Sequence, residues 1–437
     1  MNAAPPPDAG SILRSKRFIV LLLIAAVVGV VVSVAAWGFL ELVHQIQVGV
    51  FTKLPEQLGY DSGAPMWWYL VVLGVAGLLT AAAIVRLPGS GGHIAAHGLS
   101  VGGTTHPVEL PGIVLAALAT IGLGLVLGPE APLIALGGGL GLLTLKLVRR
   151  EMPPQVLAVV AASGSFAALS LIFESPLAAA VILIEATGLD RERMPLVLLP
   201  GLLASAIGSL ISIGMGSWTG LSTSAYALPA IALPDFARPD VVDFLWTIPL
   251  AAAIAIGVVA IFRLARPLVG VAASRPFVVL TAGGLIVAGL AIAFHESADH
   301  GVKEVLFSGQ DALPGLLSNP GAWSLSALAL LIVFKGLAYS VSLAFYRGGP
   351  VFPSLFLGAA AGLLAAKLPG FPVTPATAVG LAAGFAAALR LPLAAVVIAV
   401  LLTAHSGAGA TPLIIVGAVV AYLTAQLLDP PPVEATA

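Results

Sequence analysis

Residues 128–147 read GPEAPLIALGGGLGLLTLKL, and residues 349–368 read GPVFPSLFLGAAAGLLAAKL. The two stretches share Gly-Pro-x-x-Pro-x-x-x-Leu-Gly-x-x-x-Gly-Leu-Leu-x-x-Lys-Leu at a constant offset of 221, so ten of twenty positions agree. A second pair follows each copy: GSFAALSLIFESPLAAAVI ends at Ile182 and AGFAAALRLPLAAVVI ends at Ile398, aligning Phe166 with Phe385 and Pro176 with Pro392. A repeat this long in a hydrophobic chain is the pattern of membrane transporters built from duplicated halves. The copies also differ. Where the first has Glu130 the second has Val351, and where the first has Glu185 the second has Leu401. A duplicated scaffold needs its glycines and prolines for packing but no acid, which makes both glutamates candidates for function.

Composition places the chain in a bilayer. Hydrophobic residues fill 59% of the 437 positions and charged residues 9%, against roughly half and a quarter in soluble domains. A net charge of −1, with nineteen scattered Lys and Arg, supplies no concentrated basic surface for nucleic acid. The lack of cysteine excludes disulfides, zinc-thiolate sites and thiol nucleophiles together. Arg14, Lys16 and Arg17 directly precede the apolar run from Phe18 to Leu40. The positive-inside rule puts that tail in the cytoplasm, as expected for a multi-pass protein of the plasma (inner) membrane. The run is longer than a signal-peptide core, so it reads as the first membrane helix.

The organisation expected is a cytoplasmic tail (1–17), a first membrane repeat (18–215), an inter-repeat linker (216–245), a second repeat (246–428) and a short tail (429–437). Several apolar stretches, such as 176–187 and 391–404, fall short of the roughly twenty residues a spanning helix needs. Glycine and proline interrupt others, at Pro88-Gly89-Ser90-Gly91-Gly92, Gly128-Pro129 and Ser175-Pro176. Broken helices follow, because free backbone groups at membrane depth are tolerated only against protein or a wet cavity.

Each Gly-Pro-x-x-Pro element reads as a helix start, proline favouring the first turn and glycine permitting the tight approach. A helix start presents free N–H groups and the positive end of the dipole, which attract an anion. Two such starts, one per repeat, can converge on one buried anion. The hydroxyl and amides of Gly89-Ser90-Gly91 can donate to the same ion, although a plain interhelical turn has the same composition.

With these segments in hand, the chain resembles the CLC family of chloride channels and chloride/proton antiporters. The family's signatures G-S-G-x-P, G-[RK]-E-G-P and G-x-F-x-P occur here in order as GSGGH (89–93), GPEAP (128–132) and GGPVFP (348–353). FESPLAAAVILIEA (173–186) and Lys335-Gly336 fit as well, and the resemblance covers nearly the whole chain. It implies an all-α polytopic membrane protein of two inverted-topology repeats with broken, tilted helices, assembled as a homodimer. It also implies that Ser90, within Gly89-Ser90-Gly91, coordinates the anion, that amides near Ala131, Val351 and Phe352 supply further donors, and that Glu130 is the gating glutamate. A carboxylate competes with chloride for one positive pocket, and protonation removes its claim.

The departures from the family pattern bear on coupling. Pro129 replaces a basic residue, Ala131 a glycine and His93 a proline, and Pro350 removes one amide donor. The inner pair of glutamates keeps Glu185 but has Ala186 in place of the usual proton acceptor. The chain stops before the family's last helix with its pore tyrosine, and Tyr422 lies too early to replace it. Glu185 is the remaining candidate for a proton pathway, with snorkelling at a helix end as the plain alternative; Glu174 reads as an ordinary cytosol-facing residue. The histidines of His295-Glu296-Ser297-Ala298-Asp299-His300 stand five apart, whereas zinc-peptidase helices need them four apart on one face. No enzyme, metal site or cofactor is expected. The function expected is transport of chloride or a similar monovalent anion across the bilayer. A proton-coupled exchanger and a passive channel both remain open, and a non-transporting scaffold or intramembrane enzyme is the other class.

Overall fold

A computed structural model of the chain describes residues 13–61, 63–99, 105–148, 152–188, 194–221 and 227–429. Most of the N-terminal tail, part of the linker and all but one residue of the C-terminal tail lie outside the described residues. The principal helices fall into two sets of seven. The first comprises α1 (Lys16–Val48), α2 (Met66–Arg86), α3 (Leu110–Ile121), α4 (Glu130–Val148), α5 (Pro154–Ile172), α6 (Pro176–Thr187) and α7 (Met194–Thr219). The second comprises α8 (Val241–Ser274), α9 (Pro276–Ala298), α10 (Leu325–Phe345), α11 (Val351–Ala365), α12 (Val373–Leu389), α13 (Pro392–Leu402) and α14 (Thr411–Leu428). There is no β-strand among the described residues, only isolated bridges.

Sequence repetition becomes repetition of packing. α4 lies on α5 as α11 lies on α12, α5 meets α7 as α12 meets α14, and α1 crosses α7 as α8 crosses α14. The shared glycines explain the closest of these crossings. A Cβ on Gly137 would strike the carbonyl of Gly164, and a Cβ on Gly358 would strike that of Gly380. Backbones this close need small residues, the usual device of helix association in lipid.

Where the halves meet, elements meet their own counterparts: α2 packs on α9, and α6 on α13. Gly128 pairs antiparallel with Gly349, its N–H donating to the Gly349 carbonyl at 2.8 Å and its carbonyl accepting from the Gly349 N–H at 2.7 Å. An element contacting its own equivalent is the mark of a two-fold relation, here between inverted repeats. The described linker residues tie the halves further, with Leu228 N–H on the carbonyl of Ile172, Ile231 N–H on that of Leu402 and Phe236 N–H on that of Ser406.

Burial is ordered for a bilayer. Every residue of α12 from Thr374 to Leu389 is buried, whereas Leu23 and Val27 on α1, Leu210 on α7 and Leu245 on α8 face outward. Nine described helical segments are long and apolar enough to cross a membrane. Several others, α3, α6, α11, α12 and α13, run only 11–17 residues, and the segments between them are the broken connections expected from sequence. The segment 122–129 is the clearest. Leu125, Val126 and Leu127 are fully buried without being helical. The N–H groups of Leu125 and Leu127 bond locally, to the carbonyls of Thr120 and Leu125, and the Ser342 hydroxyl accepts from the Val126 N–H at 3.1 Å. The Thr120 hydroxyl accepts from the Arg347 N–H at 3.4 Å, so the two repeats exchange nearly equivalent bonds.

Candidate functional site

α4 and α11 begin side by side, because the Gly128–Gly349 pair holds the segments that lead into them. Glu130 is the first residue of α4 and is wholly buried. Its Oε1 accepts a hydrogen bond from the N–H of Val351, the first residue of α11, and the amides of Phe352 and of Glu130 itself also act on the carboxylate. Oε2 has no hydrogen-bond partner among the described residues. The carboxylate therefore sits where an anion would be drawn, against free amides at the positive end of a helix. Phe352 stacks on Phe173 with centroids 5.6 Å apart, fixing the start of α11 against the end of α5.

The Ser90 loop lies against the same junction. Gly89, Ser90, Gly91 and Gly92 all have positive φ, at 82°, 49°, 74° and 91°. Three of the four are glycines for that reason, and Ser90 is a non-glycine held in the sparsely populated left-handed region. Its hydroxyl makes no hydrogen bond to protein among the described residues. Its carbonyl accepts from Nε of Arg347 at 3.2 Å, and the bridge between Ile94 and Arg347 ties the chain just beyond the loop to the second repeat. Three residues along, burial together with His97 and Arg347 holds the His93 imidazole below the usual histidine range despite its bond to the Gly98 carbonyl. Segment 347–352 thus touches the exposed Ser90 loop through Arg347 and the buried Glu130 through Val351. Ala131 follows Glu130 in the first turn of α4.

Glu185 is placed elsewhere. Its two carboxylate oxygens accept from the N–H groups of Leu393 at 2.9 Å and Ala394 at 2.7 Å. Both amides belong to the first turn of α13, the counterpart of the helix that carries Glu185. The side chain is a cap delivered across the repeat interface. Glu174 is exposed on the turn between α5 and α6, with φ of 47°.

A cavity of about 300 Å³ opens next to Pro129, walled by His44, Gln47, Phe51, Lys303, Phe307 and Asp311. Asp311 remains reachable by water, yet the surrounding protein pushes its pKa up to about 6, with His44 opposing the shift. Charged groups of both signs therefore border the space that leads to the residue before Glu130.

Two buried polar residues stand out to which motif reading gave no role, although Lys335 lies in a segment that fits the family pattern. Tyr339 is fully buried and donates to the Pro350 carbonyl at 2.8 Å, bracing the last residue before α11. Lys335, one turn earlier, donates to the carbonyls of Glu304, Val305, Leu306 and Phe307 at 2.9–3.3 Å and lies 4.5 Å from the centroid of Phe356. Their four-residue spacing on one helix face was the available signal. His295 bonds to the carbonyl of His300, which stacks on Trp323 at 4.0 Å. No group of metal-ligating side chains occurs among the described residues.

The family model described as voltage gated chloride channel matches residues 89–426. "Putative ion-transport protein YfeO" of Escherichia coli O1:K1 / APEC is 30% identical over 362 residues, 80% of each chain. A slow cyanobacterial Cl⁻/H⁺ antiporter superposes with a TM-score of 0.75 at 19% identity, over 94% of this chain and 95% of that one. A CLC-type fluoride/proton antiporter superposes with a TM-score of 0.68 at 19% identity, over 94% and 96% respectively. At such identities the solved structures share the fold.

Proposed function

The chain belongs to the voltage gated chloride channel (CLC) family, and from that premise we propose that it moves chloride or a similar monovalent anion across the membrane through a pathway gated by Glu130. The observation that carries this reading is the hydrogen bond from the Val351 amide to a buried carboxylate at the paired starts of α4 and α11. An anion competes with that carboxylate for the same donors, and protonation of Glu130 releases them. Gly89-Ser90-Gly91 and the amides near Ala131, Val351 and Phe352 form the anion-binding set, with the unengaged Ser90 hydroxyl as its side-chain donor. Arg14, Lys16 and Arg17 support a cytoplasmic N-terminus, in the inner membrane, and the family resemblance supports a homodimer with one pathway per subunit.

Transport is passive or only weakly coupled to protons. A proton acceptor must exchange its proton with a water path during each cycle, and Glu185 holds two helix amides instead. Proteoliposomes loaded with chloride, assayed with and without a pH gradient, test both statements. Electrogenic anion efflux that moves no protons uphill is expected; stoichiometric uphill proton movement would replace the channel reading with an exchanger, and absence of anion flux would remove the transport reading.

A further inference from the structure

Besides Glu130, the junction of the repeats holds a second buried charge. Arg347 is 8% exposed. Its Nε donates to the carbonyl of Ser90 at 3.2 Å and its Nη1 to the carbonyl of Tyr346 at 3.3 Å. Its stem lies against Gly91, where an added Cβ would come within 3.2 Å of the arginine Cγ. Nη2 finds no acceptor among the described residues, and no carboxylate pairs with the guanidinium there. The acid packed on the loop, Glu109, lays its stem on Gly89 and accepts from the His106 N–H. The other ionisable neighbours, His93 and His97, are of the same potential sign, with rings 6.4 Å apart.

A buried cation without a counter-ion is costly. Packing does not require this one, because at the same offset of 221 the first repeat has Val126. Lys335 makes the contrast clear: it too has a valine counterpart, Val114, but four carbonyls surround its ammonium. Arg347 makes two bonds to carbonyls and keeps part of its fork free beside the Ser90 loop. Four residues later the same strand of chain offers the Val351 amide to Glu130.

Building on the transport reading above, we propose that Arg347 is the fixed cation of the anion pathway and sets its affinity and selectivity. The charge draws a monovalent anion towards the Ser90 loop. The planar fork also gives a planar oxoanion such as nitrate two parallel donors, which a halide cannot use. Its bond to the Ser90 carbonyl places the loop and the charge together.

Chloride and nitrate uptake by proteoliposomes of native protein, Arg347→Gln and Arg347→Lys tests this. Arg347→Gln should raise the chloride concentration for half-maximal flux about tenfold, the loss of roughly one charge-assisted contact. Arg347→Lys keeps the charge but not the fork, so it should hold half-saturation near the native value while lowering the nitrate-to-chloride flux ratio about threefold. Half-saturation and selectivity do not move when a variant merely folds less. Native half-saturation in Arg347→Gln, or equal losses in Gln and Lys, would overturn the proposal. Should Arg347→Gln not fold, anomalous scattering from bromide-soaked crystals of native protein decides: bromide against the guanidinium supports it, and bromide at the Val351 amide but not at Arg347 overturns it. A native protein that moves no anion at all refutes the transport reading itself, a result distinct from native flux that ignores Arg347.

Discussion

The carboxylate of Glu130 accepts its hydrogen bond from the N–H of Val351, the residue that occupies the position of Glu130 in the other repeat. Two equivalent helix starts meet at a two-fold relation, and one copy supplies the acid while the other supplies the donor. A symmetric pair of acids there would repel, and a symmetric pair of valines would leave the amides without a carboxylate. On the proposed reading, that asymmetry is what lets a structural junction act as a gate.

Glu130→Gln should therefore give flux that is higher than native at neutral pH and has lost its steep dependence on external pH. Glutamine has the size of the protonated acid and no charge to compete with the anion. Flux measured across external pH checks it, and a native-like pH profile in the mutant would take Glu130 out of the gate.

Asp311 adds a shallower pH response at the cavity. With its pKa pushed up to about 6 by the surrounding protein, it is charged at neutral pH and neutral below about 6, so on the proposed reading acid removes a negative charge from the cavity beside Pro129. Asp311→Asn should raise flux at neutral pH about twofold, the effect of one screened charge several ångströms away. Any rise that Glu130→Gln retains below about pH 6 is expected to come from Asp311 and should vanish in the double mutant. Lower flux in Asp311→Asn would show the sign to be wrong.

The cap made by Glu185 predicts a stability effect. Glu185→Ala leaves the amides of Leu393 and Ala394 without their acceptor and should cost about 1–2 kcal/mol, read as a lower melting temperature in detergent. Uphill proton movement driven by a chloride gradient should be absent in the native protein. Robust pumping that disappears in Glu185→Gln would instead make Glu185 the inner proton acceptor.

Gly358→Ala should destabilise by about 1–3 kcal/mol through overpacking, because the new methyl meets the Gly380 backbone at the crossing of α11 and α12. Gly257→Ala on α8 is the control. Nothing stands near a Cβ there, so helix propensity alone should make it neutral or stabilising by up to about 1 kcal/mol. Equal unfolding midpoints for the two variants would contradict the close crossing.

The sequence alone determined the duplication, the membrane setting and the two helix starts. Each of those is written in local pattern: a long run of apolar residues, proline and glycine at first turns, a repeat at fixed offset. It also isolated Glu130, because comparing the two copies separates what packing needs from what it does not. Applied at position 347, the same comparison with Val126 marks Arg347, yet without knowing that the side chain turns back onto the Ser90 loop, an arginine beside a glycine pair reads as interfacial. Likewise Glu185 looks the same in sequence whether it faces water or caps a helix of the other repeat. Only the tertiary structure decided these, because a hydrogen bond between residues 208 or 257 positions apart depends on how two halves dock, and no local propensity encodes the partner.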